Sequence, residues 1–454
     1  MKKLIVVILL FSCTSAFSQS VFDSTWTNYF RRNFGGWTAG DATLSVKLPD
    51  NRVIWLFGDS YTVPVNPDNT LPCLFQVRNC FMVQDSVDRN FFKTILDTTM
   101  TGVNMTTFKL VPNDTALFWP GAGYVRNDTV FIFLERYQST TLAYLGCYLV
   151  KLHFPDLAQI GIYRVNTPIA AIFGRAVVPD EAAGKLYLYG NKLNWIVWEP
   201  VLARCDINNP LSRLEYYTGN GWSVFSSDMQ KISDEPVSPG FTVFPYQNRY
   251  VLVTQENGYL ECGLGREIYS MDAMQPQGPF GSKKLLYTEE STFNNHYLLT
   301  YNAQAHPWNI ENNELLIGYN VNDRVDTLDP YVCPSECVNI FTDRMDADSY
   351  RPKFIRVPMD MIVSAEDLPG IFDLTIYPNP VHAGKDLRFS FHTGREEKAS
   401  VRIFDLSGRI ICEKSKQCVS GQNNFSLPAP ASPGCYLLEL QTRNGIAISK
   451  FLVY

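Results

Sequence analysis

The sequence predicts an all-β chain, a five-bladed β-propeller followed by a small C-terminal β-sandwich. Two patterns predict it. A hairpin built on a short, continuous apolar run recurs five times between residues 40 and 320, and the last 80 or so residues break into seven short strands divided by turns. The composition agrees: 46% of the 454 residues are hydrophobic, with 29 Phe, 24 Tyr and 8 Trp, enough to build large β-sheet cores.

At the start of the chain, Lys2 and Lys3 precede the apolar run Leu4 to Phe11, and Ala16-Phe17-Ser18 offers small residues around a cleavage point. This reads as a signal peptide over 1–18, with lipidation of Cys13 as the alternative. No later run reaches the ~18 apolar residues of a membrane helix, so no transmembrane segment is expected. With 39 Lys and Arg against 45 Asp and Glu, the net charge of −6 argues against a nucleic-acid partner.

The propeller is placed over 19–365. Its five runs are Ile54 to Asp59, Val130 to Glu135, Leu186 to Asn191, Tyr250 to Gln255 and Leu315 to Asn320; the polar ends are 76, 56, 64 and 65 residues apart. Each follows a turn (49–52, 126–128, 180–185, 247–248 and 311–313), and each turn follows a shorter leading strand. Continuous rather than alternating apolar residues mean strands buried on both faces. Five such hairpins, each within a unit of about 65 residues, fit radial blades of four strands.

That geometry suggests a site. In a blade the innermost strand starts on the face to which the second strand returns, so opening and closing residues gather around one channel mouth. The closing residues are Asp59, Glu135, Asn191, Gln255 and Asn320; the opening residues include Asp41, Trp119, Arg175 and His306. Carboxylates, amides and a Trp on a concave surface are how a polyol pocket is lined. Plainer roles stand beside this one: turn caps for Asn191 and Asn320, blade packing for Trp119, a structural hydrogen bond for His306.

After a linker at 366–371, the module at 372–454 contains Tyr377-Pro378-Asn379-Pro380, the run Val401 to Arg409, Gly434-Cys435-Tyr436-Leu437-Leu438 and a late Lys450. These segments resemble the C-terminal sorting domain of the type IX secretion system. The resemblance implies the type IX machinery as a partner and a protein that is extracellular or attached to the cell surface. In the propeller, Gly36 to Asp41, Trp55 to Ser60, Phe118 to Gly121, Val201 to Arg204, Gly278-Pro279-Phe280 and Tyr301 to Pro307 resemble an uncharacterised bacterial five-bladed family. That family is distantly similar to glycoside hydrolases such as arabinanases, xylosidases and invertases. The resemblance implies a polysaccharide or glycan as partner, Asp41 as base or nucleophile, Asp59 as its modulator and Glu135 as the acid. Trp119, Arg175, Asn191, Gln255, His306 and Asn320 would then bind substrate. The alternative is a glycan-binding surface propeller without catalysis. No cofactor is expected; related propellers hold a calcium or sodium ion in the channel, but no Asp-rich loop here demands one.

Of 11 cysteines, ten remain without Cys13, an even number in an exported chain. Close pairs suggest disulfides between Cys73 and Cys80, between Cys333 and Cys337, and between Cys412 and either Cys418 or Cys435. A zinc site at Cys333 and Cys337 is the weaker reading, because no further ligand lies near them. The motifs of phosphate-binding loops, zinc proteases and serine esterases are all missing.

Overall fold

The computed structural model describes residues 19–71, 75–101, 105–256, 265–290, 292–293, 296–322, 346–363, 372–393, 396–419, 421–442 and 445–454. The signal-peptide expectation at 1–18, the linker at 366–371, and Cys73, Cys333 and Cys337 lie outside these residues. The chain forms two compact units, the first reaching to Ile362 and the second running from Val363 to Tyr454.

Among the described residues, the first unit holds five antiparallel sheets of four or five strands. Four of them run in chain order from an inner strand outward. Their inner strands are Leu44–Lys47, Ala116–Arg126, Ile172–Asp180 and Thr242–Tyr246. Their second strands are Val53–Phe57, Thr129–Gln138, Lys185–Asn194 and Arg249–Gln255. In the fifth sheet Leu299–Glu311 is innermost and Glu314–Asn322 second. Lys353–Pro358 follows, and the N-terminal pair Val21–Phe22 lies at the edge. Both ends of the unit therefore close one sheet, and Asp23 fixes the seam by pairing with Arg356 at 3.0 Å.

The apolar runs explain the second strands. All five residues of Val53–Phe57 are buried, as are Leu186 to Asn191, which requires a neighbour on each face of the sheet. The turns also behave as their residues dictate. Asn51, Asn127, Gly184, Gln247, Asn312 and Asn313 take positive φ of 51° to 70°, the region that Asn and Gly enter at least cost.

The five sheets are blades around one channel. One cavity of about 390 Å³ is walled by Leu44 to Lys47, Ala122 to Val125, Arg175 to Pro179, Thr242 to Pro245, and Gln304, Ala305, Pro307 and Trp308, that is, by all five inner strands. Adjacent blades bury apolar side chains between them. Leu56, Phe81, Phe118 and Ile132 join the first blade to the second; Phe133, Leu149, Phe173 and Leu188 join the second to the third. The aromatic load is densest where the fifth blade meets the first: Trp26, Phe30, Trp37, Trp55, Phe57 and Phe354 form one cluster.

The second unit is a seven-stranded sandwich. Phe372–Tyr377, Asp386–Thr393 and Gly421–Pro428 make one sheet; Glu397–Asp405, Ile410–Cys418, Gly434–Thr442 and Gly445–Val453 make the other. Leu387, Phe389, Val401, Ile403, Leu438 and Phe451 fill the space between. One expectation is corrected here. Cys412 and Cys435 carry free thiols, so Cys412 is joined to neither Cys418 nor Cys435. Cys412 lies on a different strand from Cys435, and sequence proximity alone does not bring cysteine Cβ atoms into the narrow range a disulfide needs. Cys80, Cys147 and Cys205 are free and buried, packed as small apolar side chains.

Candidate active site

The five polar residues that close the second strands share one structural task. Each reaches the opening of the next blade. Asp59 Oδ1 accepts from Trp119 Nε1 at 3.2 Å, linking the first blade to the second. Glu135 pairs with Arg175 Nη1 at 2.6 Å, linking the second to the third. Asn191 Nδ2 donates to the Pro239 carbonyl at 2.8 Å, and Gln255 Nε2 donates to Thr300 Oγ1 at 2.8 Å while its Oε1 accepts from the Ala303 amide at 2.9 Å. Asn320 Nδ2 closes the circle on Thr43 Oγ1 at 3.0 Å. His306 makes a parallel seam: its Nδ1 lies 2.7 Å from Ser45 Oγ, and its ring packs 4.9 Å from Trp55. Burial, with the Arg356 charge adding to it, pushes the His306 pKa down to about 3, so this ring is neutral.

A second cavity, about 510 Å³, opens where the inner strands begin, within the roughly 300–1,000 Å³ range of small-molecule sites. It shares Leu44, Arg175 and Gln304 with the channel. Of the residues singled out from sequence, Asp41, Trp119, Glu135 and Arg175 line it. Asp59 is not a lining residue but is buried and hydrogen-bonded to the lining Trp119, while Asn191, Gln255, His306 and Asn320 are likewise not among the lining residues and are buried in the seams between blades. Tyr137, Tyr144, Trp198 and Tyr301, with the aliphatic Leu142, complete a largely aromatic wall.

Local backbone irregularities aim these side chains. The ladder between first and second strands shifts register after Pro120, after Phe173 and after Tyr301. Each shift lies at the mouth, and the second carries Arg175. Bulges of this kind re-aim side chains and are frequent beside functional sites. In the first blade the same job falls to Ala42 and Thr43, both at positive φ (75° and 52°), directly after Asp41. A two-stranded ribbon, with Gly40 opposite Ser60, holds Asp41 and Asp59 together. Gly58 is needed there, since a Cβ on it would sit 2.5 Å from Asp41 Oδ1.

The three carboxyl groups have different partners. Burial, followed by the nearby Asp59 charge, pushes Asp41 up to about 7. The Tyr301 and Tyr350 hydroxyls donate to its Oδ2, each at 3.4 Å, long for an O–H donor and a weak counterweight. Asp59 is pushed up to about 6 by burial, opposed by Arg78, whose Nε lies 3.2 Å away, and by Trp119. Glu135 is 1% exposed and is also raised by burial, with Arg175 and the Tyr137 hydroxyl, which donates at 2.8 Å, pulling it back. Asp59 and Glu135 thus each have an arginine, whereas Asp41 has tyrosines.

Sequence reasoning missed Tyr137, Arg78, Trp198, Tyr301 and Tyr350 as contributors. Tyr137 carried a signal, since it lies two residues beyond Glu135 on one strand and therefore on the same face. Arg78 and Tyr350 come from distant segments with no repeat to mark them. Among the described residues no group of three His, Cys, Asp or Glu is placed to hold a metal ion.

Fold and cavity together define a β-propeller with a concave site at one mouth of its channel. The chain belongs to the family described as the domain of unknown function DUF5005, whose model matches residues 23–370. Residues 375–454 match the secretion system C-terminal sorting domain, which directs the protein through type IX secretion to the cell surface or the extracellular space. Among the described residues no helix is long and apolar enough to cross a membrane. A hydrolase candidate from Bacteroides ovatus is similar in structure at 20% identity, with a TM-score of 0.61 over 76% of this chain and 92% of that one. A xylan β-1,4-xylosidase from Bacillus halodurans matches at 10% identity and a TM-score of 0.37, over 92% and 90% of the two chains. A GH32 β-fructofuranosidase from Bombyx mori matches at 11% and 0.40, over 94% and 89%. The first of these likenesses, at 20% identity, is a likeness of fold. No curated protein sequence matches the chain.

Proposed function

We propose that the mouth cavity binds a glycan and hydrolyses a glycosidic bond, with Asp41 as the group that moves the proton. One observation carries this reading: Asp41 is the carboxyl on the cavity wall that has no cation beside it among the described residues, and it is pushed up to about 7, near the pH at which a proton-transfer group works best. Glu135, on the same wall, is charge-balanced by Arg175. Two carboxyl groups in contrasting surroundings are the usual equipment for this chemistry. One donates a proton to the leaving oxygen, and the other assists water or attacks the anomeric carbon. This differs from the expectation drawn from the family resemblance, in which Asp41 is the base or nucleophile and Glu135 the acid. Trp119, Tyr137, Trp198 and Tyr301 supply apolar faces for the sugar ring.

A second reading, a glycan-binding propeller without turnover, is favoured by the pairing of both Asp59 and Glu135 with arginines. Reducing-sugar release from xylan, arabinan, levan and galactan by the wild type, Asp41→Asn and Glu135→Gln separates the two. Hydrolysis predicts release by the wild type and a loss of about 10²-fold or more in Asp41→Asn. Equal release by that variant sinks the role of Asp41. Retention of a polymer without release by any form supports the second reading.

A further inference from the structure

We propose that the Trp195 indole is a stacking platform for a sugar ring outside the cavity, so that the site takes one end of a chain of several sugars; this rests on the glycan reading above. Strands Lys185–Asn194 and Val197–Asp206 pair through Leu193 with Trp198 and Asn194 with Val197. Trp195 and Ile196 are left as a two-residue turn. Trp198, three residues further on, is part of the cavity wall, so the tip of this hairpin extends that wall outward.

The tip is built against the interests of the fold. Trp195 has φ of +58°, a conformation costly for any residue with a Cβ, and hairpins of this length favour Gly or Asn there. Its side chain is 90% exposed, so it buries almost nothing in return. Leu193 and Ile196 beside it are also exposed. The corresponding loop of the neighbouring blade repeats the device: Leu142 has φ of +53°, is exposed, and lines the cavity. Strained backbone that holds an apolar side chain in water brings no stability, and such strain concentrates at ligand sites. A flat indole suits the C–H face of a sugar ring whose hydroxyls stay hydrated.

The test uses the mature full chain. Affinity electrophoresis in gels containing xylan, arabinan, levan or galactan finds the polymer that retards the wild type. Calorimetry then follows its oligosaccharides of two to six sugars. Trp195→Gly is expected to weaken binding of the longer oligosaccharides about tenfold, equivalent to about 1.4 kcal/mol, and to leave the disaccharide unchanged. Its melting temperature should hold or rise, because glycine relieves the turn, and Trp195→Phe should restore most of the affinity. Equal retardation of Trp195→Gly and wild type overturns the platform but leaves the glycan reading standing. A wild type retarded by none of the polymers overturns both. A dimer that Trp195→Gly dissociates, with no change in retardation, assigns the patch to self-association and overturns the platform.

Discussion

Asp41→Asn should make the protein more stable and less active at once, and the stability gain should depend on pH. The folded state holds the Asp41 proton up to about pH 7, whereas an unfolded Asp loses it near pH 4. Between those values the native chain binds more protons than the unfolded one, so stability falls as pH rises and the penalty is complete above pH 7. A shift of about three units at 1.36 kcal/mol per unit sets an upper limit of about 4 kcal/mol. Asp41 shares its field with Asp59 and meets solvent through the cavity, so about 2 kcal/mol is expected at pH 8. For a unit of this size that is a rise of several degrees in melting temperature. Melting curves of wild type and variant at pH 4.5 and pH 8 read it directly. A variant no more stable than wild type at pH 8, or stabilised equally at both pH values, would refute the placement at this wall of a buried carboxyl held by tyrosines rather than by a cation.

The same geometry makes other predictions. Arg175→Met leaves the buried Glu135 without its cation and should cost about 3–5 kcal/mol; adding Glu135→Gln should recover much of that in chemical denaturation. Gly58→Ala places a methyl group against the Asp41 carboxylate, so activity should fall at least tenfold with a stability loss of about 1–3 kcal/mol, read by kinetics and urea unfolding. His306 is held neutral to about pH 3 while an unfolded His takes a proton near 6.5, so its contribution is lost as pH falls through that window. His306→Asn should therefore flatten the acid side of the stability profile, measured from pH 7 to pH 3.

The blades were legible because burial on both faces leaves a continuous apolar run, as at Val53–Phe57, and because Asn51, Asn127 and Gly184 mark the turns. The polar strand ends were legible too, but not their purpose. Asn191, Gln255 and Asn320 resemble pocket residues in sequence and join neighbouring blades in the fold, since a partner in the next blade is some 45 or more residues away and leaves no local signal. Asp41 was visible as an opening residue. Its distinction from Asp59 and Glu135 was not, because that distinction rests on Arg78, Tyr301 and Tyr350, which arrive from a loop of the same blade and from the fifth blade.

A crystal structure of Asp41→Asn with an oligosaccharide of the polymer that retards the protein tests the central claim most directly. A sugar ring against Trp119, Tyr137 and Trp198, with a glycosidic oxygen within hydrogen-bond distance of residue 41, is the predicted result. An oligosaccharide bound elsewhere on the propeller, with the mouth cavity empty, would contradict it.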